Sequence, residues 1–140
     1  MTPFRFSLER VRSYKTSMEE QLKLQLAVAR RRQEEEEERL EHYRRLRDSC
    51  GVVQGELAAG DLLREAALLE ALEGRIAGQR ERVARAHMAV KEKCDQVQAV
   101  MRERKVLDRL RERQLVAYRY ELAREEQKQV DEAAGSRRHL

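Results

Sequence analysis

The sequence predicts an all-α fold, a long antiparallel two-helix coiled coil (a helical hairpin) with a short helical segment at the hairpin end. Three observations predict this fold. Ala, Glu, Lys, Leu and Arg make up more than half of the 140 residues, a composition typical of long helices and coiled coils. Apolar residues recur at alternating steps of four and three residues in two separate stretches, which is the spacing of a coiled-coil seam. A cluster of glycines separates the two stretches and marks the place where the chain can reverse.

The first arm is predicted over about residues 3–50. Thr2 can cap the free amides of a first helix, and Pro3 suits its first position because that position needs no backbone donor. The predicted seam consists of Phe4, Leu8, Val11, Lys15, Met18, Leu22, Leu26, Ala29, Gln33, Glu36, Leu40 and Tyr43. No apolar residue occurs between Arg30 and Arg39. The seam is therefore expected to be weak at this point.

The hairpin region is predicted over residues 51–78. Gly51, Gly55 and Gly60 lie within ten residues, and each costs a helix about 1 kcal/mol relative to alanine. Asp61 can cap a new helical segment after this break. An apolar face follows, consisting of Leu62, Leu63, Ala66, Leu69 and Leu72. We therefore expect at least one short helix folded against the arms.

The second arm is predicted over about residues 79–134, with a short tail at 135–140. Its seam consists of Val83, His87, Val90, Cys94, Val97, Met101, Leu107, Leu110, Leu115, Tyr118 and Leu122. Cys94 is interpreted as a small packed residue of this seam, His87 as a packed or boundary residue, and Gly135 as the natural stop of the helix. With Phe4 opposite the region 122–126, the two arms make residues 1–140 a single coiled-coil domain.

Charge and cysteine content limit the classes of function. The 30 basic and 26 acidic residues interleave along the chain, which is typical of a helix face covered with ion pairs and unlike the segregated charge of a nucleic-acid surface. Cys50 and Cys94 are too few and too far apart for a disulfide framework or a zinc site, so a reducing cytoplasm is the expected location. No apolar run approaches the length of a signal peptide or a membrane span.

No motif in the sequence predicts catalysis or cofactor binding. The three histidines are scattered, no glycine-rich phosphate loop follows a strand, and a two-helix coiled coil offers no pocket for acid–base chemistry. The basic stretch at 102–113 contains interspersed acids, unlike the basic region of a DNA-reading helix. The sequence therefore predicts a protein-binding rod, with no enzymatic activity, cofactor, metal or nucleic-acid partner.

Three segments resemble a known family. The opening residues 4–11 (FRFSLERV), residues 105–113 (KVLDRLRER) and residues 121–132 (ELAREEQKQVDE) are similar to the FliJ family of flagellar protein-export stalks. The resemblance implies a soluble component of the type III export apparatus, cytoplasmic and held at the membrane face through its partners. It also implies a monomeric coiled-coil stalk inserted in a hexameric export ATPase, whose ring assembly and activity it promotes. Further partners implied are the cytoplasmic part of the export gate and export chaperones.

The resemblance also implies site residues. The ends of the two arms would enter the ATPase ring, and six cations there could meet acidic loops: Arg5, Arg12, Lys15, Arg119, Arg124 and Lys128. The gate-contacting surface carries over to Leu40, Tyr43, Leu68 and Leu72. Alternatively, the six cations are ordinary solvated charges, and Leu68 and Leu72 only pack the short helix onto the arms. Alternatives for the whole chain are the equivalent stalk of a virulence injectisome and a generic dimerising coiled-coil scaffold.

Overall fold

The computed structural model describes residues 2–50 and 59–138. These residues form two α-helices, α1 (Glu9–Ser49) and α2 (Ala59–Arg138), which pack against each other, and no strand occurs within them. The predicted all-α helical hairpin is confirmed. Contacts divide the chain into two compact units. Unit 1 comprises Met1–Glu20 with Gln98–Leu140, and unit 2 comprises Gln21–Val97.

Within each unit the segments of α1 and α2 run antiparallel. As the residue number increases along α1, the number of the residue that it contacts on α2 decreases. Unit 1 contains the ion pairs Glu9–Arg111, Arg12–Asp108 and Lys15–Glu103. Unit 2 contains the contacts Gln25–Lys93, Gln33–His87 and Arg47–Glu73. The antiparallel pairing predicted for the two arms therefore holds in both units.

The seam of unit 2 follows the predicted spacing. Every seam residue predicted from Leu22 to Tyr43 is buried or half-buried, including the polar Gln33 and Glu36. Facing them along α2 are residues at steps of four and three: Leu72, Ile76, Gln79, Val83, Ala86 and Val90. Ile76 is only 1% exposed, and burial of such a side chain stabilises the fold by about 1.5–3 kcal/mol.

The predicted start of the first helix is wrong, because α1 begins at Glu9 and not at Pro3. Residues 2–6 are not helical and lie against α2 within unit 1. The Phe6 side chain is buried, the Phe4 ring lies 5.6 Å from the Tyr118 ring, and the Tyr118 hydroxyl donates to the Thr2 carbonyl oxygen. Packing two aromatic rings against α2 outweighs the local signal for an earlier helix start.

The first turn of α1 also shifts the seam. Leu8 and Val11, predicted as seam residues, are exposed, while Arg12 and Lys15 are half-buried against α2. Phe4 contacts Tyr118, about one helical turn from the predicted region 122–126. The seam of unit 1 therefore contains more charge than the apolar pattern indicates.

The glycines of α2 do not interrupt it. The residues from Ala59 onward that were expected to form a separate short helix belong to α2 itself, while residues 51–58 of that predicted region lie outside the described residues. Leu72 and Ile76 flank Gly74 and are both buried, so packing outweighs the helix penalty of the glycine. Gly135 is not the stop either, since α2 continues to Arg138. The assignment of the chain to one domain stays a prediction.

Two residues of the predicted seam in the second arm, His87 and Cys94, differ in exposure. The side chain of His87 is 52% exposed and contacts Glu37 of α1, while the neighbouring Ala86 is buried, so of the two predicted alternatives His87 is a boundary residue of the seam. Cys94 is half-buried, and its thiol and that of Cys50 are both free. Neither described helix contains an apolar stretch long enough to cross a membrane.

Candidate partner-binding surfaces

A network of charged side chains forms part of the seam of unit 1. Arg12 donates to one Asp108 oxygen at 2.7 Å, and Arg104 donates to the other at 2.7 Å. Arg104 also donates to Glu19 at 2.5 Å, and Glu19 is buried. Charge-assisted hydrogen bonds of this kind fix the register of two helices because each donor fits one partner. The network therefore positions the exposed residues of unit 1 that could meet a partner.

The network shifts the titration of its members. The hydrogen bond from Arg12 is the main cause that lowers the pKa of the Asp108 carboxyl, with Arg104 adding to it. The hydrogen bond to Asp108 raises the pKa of Arg12, and the hydrogen bond to Glu19 raises the pKa of Arg104. These groups are therefore charged at neutral pH and hold the two helices of unit 1 together.

The six cations predicted to bind the ATPase all lie in unit 1, but they differ in availability. Arg12 and Lys15 are half-buried and held in ion pairs with α2. Arg124 forms an ion pair with Glu121 one turn earlier in the same helix. The remaining three are exposed and have no ion pair within the described residues: Arg5, Arg119 and Lys128. These three are the predicted cations that are free to meet a partner.

The exposed side of α2 in unit 1 carries a second group that the sequence analysis did not assign to a partner. Arg109, Arg113, Val116 and Tyr120 follow one another at steps of four, three and four residues, so they share one face. Val116 and Tyr120 are both more than half exposed, and Arg109, Glu112, Arg113 and Val116 line a shallow cavity of about 390 Å³. The same spacing rule, applied to the exposed face, could have identified this group.

The four residues predicted to contact the export gate all lie in unit 2 and are not equally accessible. Leu40 and Leu72 are buried between α1 and α2, at 8% and 5% exposure. Tyr43 is half-buried, while Leu68 is 52% exposed. Leu40 and Leu72 thus support the helix pair from inside, and only Tyr43 and Leu68 offer surface to a partner.

Exposed leucines lie near Leu68 in the sequence at the beginning of α2. Leu62, Leu63 and Leu69 are also exposed, although an apolar face packed on the arms was predicted there. Single exposed leucines are common on protein surfaces, but four within eight residues are typical of an interaction surface. These leucines and Tyr43 are the apolar candidates for a partner contact in unit 2.

The seam of unit 2 between Arg30 and Arg39, predicted to be weak, is held by hydrogen bonds. His87 Nε2 lies 2.7 Å from a Glu37 oxygen, and Gln33 donates to the same oxygen at 3.2 Å. Both contacts, with Gln33 the larger cause, lower the pKa of Glu37. The buried amide of Gln79 donates to the carbonyl oxygen and to the carboxylate of Glu36. Polar contacts therefore replace apolar packing here.

No group of three His, Cys, Asp or Glu side chains in residues 2–50 and 59–138 is arranged to hold a metal ion.

Comparison with known proteins supplies the family. The family model described as "Flagellar FliJ protein" matches residues 4–139, nearly the whole chain. The chain belongs to the flagellar FliJ family. No curated protein and no solved structure matches the chain significantly.

Membership in the FliJ family confirms the resemblance read from residues 4–11, 105–113 and 121–132. It makes the chain a component of flagellar type III export. FliJ proteins are non-catalytic helical stalk or scaffold proteins. The family implies interaction with the flagellar export apparatus, and the exposed residues described above are the candidates for such contacts.

Proposed function

We propose that this chain is a stalk that binds the hexameric flagellar export ATPase and promotes assembly and activity of its ring. The observation that carries the proposal is the FliJ family match over residues 4–139, which includes both ends of the chain. The proposal includes no catalytic activity and no cofactor for the stalk itself. It places the protein in the cytoplasm, at the membrane face through its partners.

The exposed residues of unit 1 support an ATPase contact. Arg5, Arg119 and Lys128 are solvent-exposed cations without ion pairs in the described residues, and the face with Val116 and Tyr120 adds apolar area beside two arginines. Exposed ion pairs contribute about 0.2–1 kcal/mol each and weaken as salt rises. Long-range attraction between opposite charges still accelerates association. Such a surface suits a stalk that makes several weak contacts inside a ring with acidic loops.

The test of this function is ATP hydrolysis by the cognate export ATPase. We expect the purified chain to raise the hydrolysis rate most at ATPase concentrations where the ring is only partly assembled, because binding favours the assembled form. The increase should fade once the ATPase is fully assembled without it. No stimulation at any ATPase concentration would contradict the proposal.

The second part of the proposal is a contact between unit 2 and the cytoplasmic part of the export gate, through Tyr43, Leu68 and the exposed leucines near it. Leu68→Ser should weaken gate binding, because it removes exposed apolar area without opening the helix pair. Met88→Ser is the matched control, since Met88 is also exposed in unit 2 but lies away from these leucines. Equal losses in the two variants, measured by titration calorimetry, would contradict the proposed contact. Export chaperones are the third proposed partner, on the family resemblance alone.

The two alternatives predict different results. An injectisome stalk would share the architecture, but the family match is to a flagellar protein and favours the flagellar system. A generic scaffold of parallel helices would be a dimer, whereas the proposed stalk is a monomer of 16.5 kDa. Light scattering on the purified chain separates these two masses.

A further inference from the structure

Unit 2 carries a groove along one side of its helix pair, and apart from Tyr43 none of its lining residues has a part in the proposed function. Two open cavities of about 510 Å³ and 320 Å³ share Arg82 and Arg85 in their walls, so they adjoin each other along this groove. It runs from Arg32 to Tyr43 along α1, which is about 16 Å at 1.5 Å per residue. We call it the arginine groove.

Small residues create the space in the arginine groove. Gly78, Ala86 and Ala89 line it on α2, and a Cβ atom added at Gly78 would meet no other atom within 4 Å. A long side chain at any of these positions would fill part of the groove. The groove is therefore a consequence of where α2 carries its small residues.

Four arginines line the groove: Arg32, Arg75, Arg82 and Arg85. All four are exposed, and none forms an ion pair with another residue of the described chain. Two acids also line the groove, but they do not neutralise the four arginines. The carboxylate of Glu36 is already bound by Gln79 and Arg39, and Glu81 supplies only one negative charge. In a chain whose charges otherwise interleave, this groove keeps an excess of positive charge.

We propose that the arginine groove binds an acidic segment of a partner protein. Along α2, Arg75 and Arg82 are seven residues apart, and Arg82 and Arg85 are three apart, so their side chains recur on one side at helical spacing. Carboxylates carried at intervals of three, four and seven residues on a partner helix would match them. Guanidinium groups bind carboxylates through paired hydrogen bonds, which adds specificity to the charge attraction.

The acids in the groove favour a protein over a nucleic acid. Glu36 and Glu81 would lie close to a phosphate backbone and repel it, whereas a polypeptide can place neutral or basic residues beside them. The edge of the Tyr43 ring and the methyl groups of Ala86 and Ala89 add apolar surface suited to a side chain between the carboxylates. This inference does not rest on the ATPase or gate contacts, so it can fail while both of those hold.

The test uses the full chain and a fluorescent helical peptide in which Glu recurs every third or fourth residue among Ala and Leu. We expect the peptide to bind at low salt, its counterpart with Gln in place of Glu to bind poorly, and binding to weaken as salt rises. The double variant Arg82→Gln/Arg85→Gln should lose about tenfold in affinity, measured by fluorescence anisotropy. The control Arg45→Gln/Arg64→Gln removes the same charge from exposed positions of unit 2 outside the groove and should change affinity less than twofold.

A second pair of variants tests the shape of the groove. Gly78→Leu should fill it and reduce peptide affinity, whereas Gly74→Leu has equal room, lies outside the groove and should leave affinity unchanged. Both changes favour helix formation, so circular dichroism should show folded chains. Equal losses in the two arginine variants would overturn the proposal, as would unchanged binding by Gly78→Leu. A single-stranded oligonucleotide of equal charge that binds as tightly and displaces the peptide would also overturn it.

Discussion

Asp108 illustrates how a single residue determines the pairing of helices in unit 1. Its two carboxylate oxygens accept from Arg12 on α1 and from Arg104 on α2, and Arg104 continues to the buried Glu19. The predicted seam at this end consists of apolar residues and Lys15, and its spacing gives no sign that Arg12 takes the place of Val11. Charged pairs specify a register more strictly than leucines, since a shifted carboxylate loses its donors.

Asp108→Asn should reduce the free energy of unfolding by about 0.5–1 kcal/mol, because one charge-assisted contact becomes neutral in a partly exposed position. Urea unfolding followed by circular dichroism measures this change. Asp48→Asn is the control, since Asp48 is largely exposed and, among residues 2–50 and 59–138, pairs with its neighbour Arg47 alone. An equal effect of the two substitutions would show that the network contributes nothing specific.

The lowered pKa of Asp108 predicts that the stability of the chain depends on pH. The pKa of Asp108 is lower in the folded chain than in the unfolded chain, where it is about 4, so the unfolded state binds more protons in this range. The stabilisation is complete above about pH 5 and disappears as the pH falls through the folded pKa. The difference in unfolding free energy between the unaltered chain and Asp108→Asn should therefore be constant from neutral pH down to about pH 5 and shrink below it. A difference that stays constant to pH 3 would contradict the assigned cause.

At the scale of the elements, the continuity of α2 through Gly74 and Gly78 is the main departure from the sequence-based prediction. Glycine clusters signal breaks because each glycine weakens a helix, but the burial of Leu72 and Ile76 depends on α1, which is distant in sequence. The start of α1 was missed for a similar reason. Phe6 is buried and Phe4 contacts Tyr118 of α2, which is distant in sequence. Local signals located α1, the later part of α2 and most of the seam of unit 2, whereas the start of α1 and the continuity of α2 depend on contacts between distant parts of the sequence.

Gly74→Ala tests this continuity. If Gly74 lies in a helix interior with open space around it, alanine should raise the free energy of unfolding by about 0.5–1 kcal/mol. Ala77→Gly, three residues later in the same helix, should lower it by a similar amount. Urea unfolding measures both changes. A destabilising effect of Gly74→Ala would indicate that the chain breaks there, as the glycine pattern alone suggests.

At the scale of the whole molecule, the sequence identified the family and placed the six candidate cations at the ends of the two arms. It did not show which of these cations are available to a partner. Arg12 and Arg119 look alike in the sequence, and only the contact with Asp108 shows that the first is engaged within the chain. The gate group divides in the same way, since burial assigns Leu72 to the core and leaves Leu68 on the surface. Residue type and spacing can place a surface, whereas the partners of each side chain depend on the opposite helix.

Arg119 and Lys128, two cations without an ion pair in the described part of the chain, allow a test of the proposed ATPase contact. Reversing two available cations, Arg119→Glu with Lys128→Glu, should reduce stimulation of the export ATPase several-fold, because each lost contact becomes a repulsion against the acidic loops proposed in the ring. The thermal midpoint should barely change, since neither side chain has an ion pair in the described part of the chain. Arg45→Glu with Arg64→Glu changes the net charge equally in unit 2 and should leave stimulation intact. If both double variants lose stimulation alike, only the overall charge matters and unit 1 does not carry the ATPase contact.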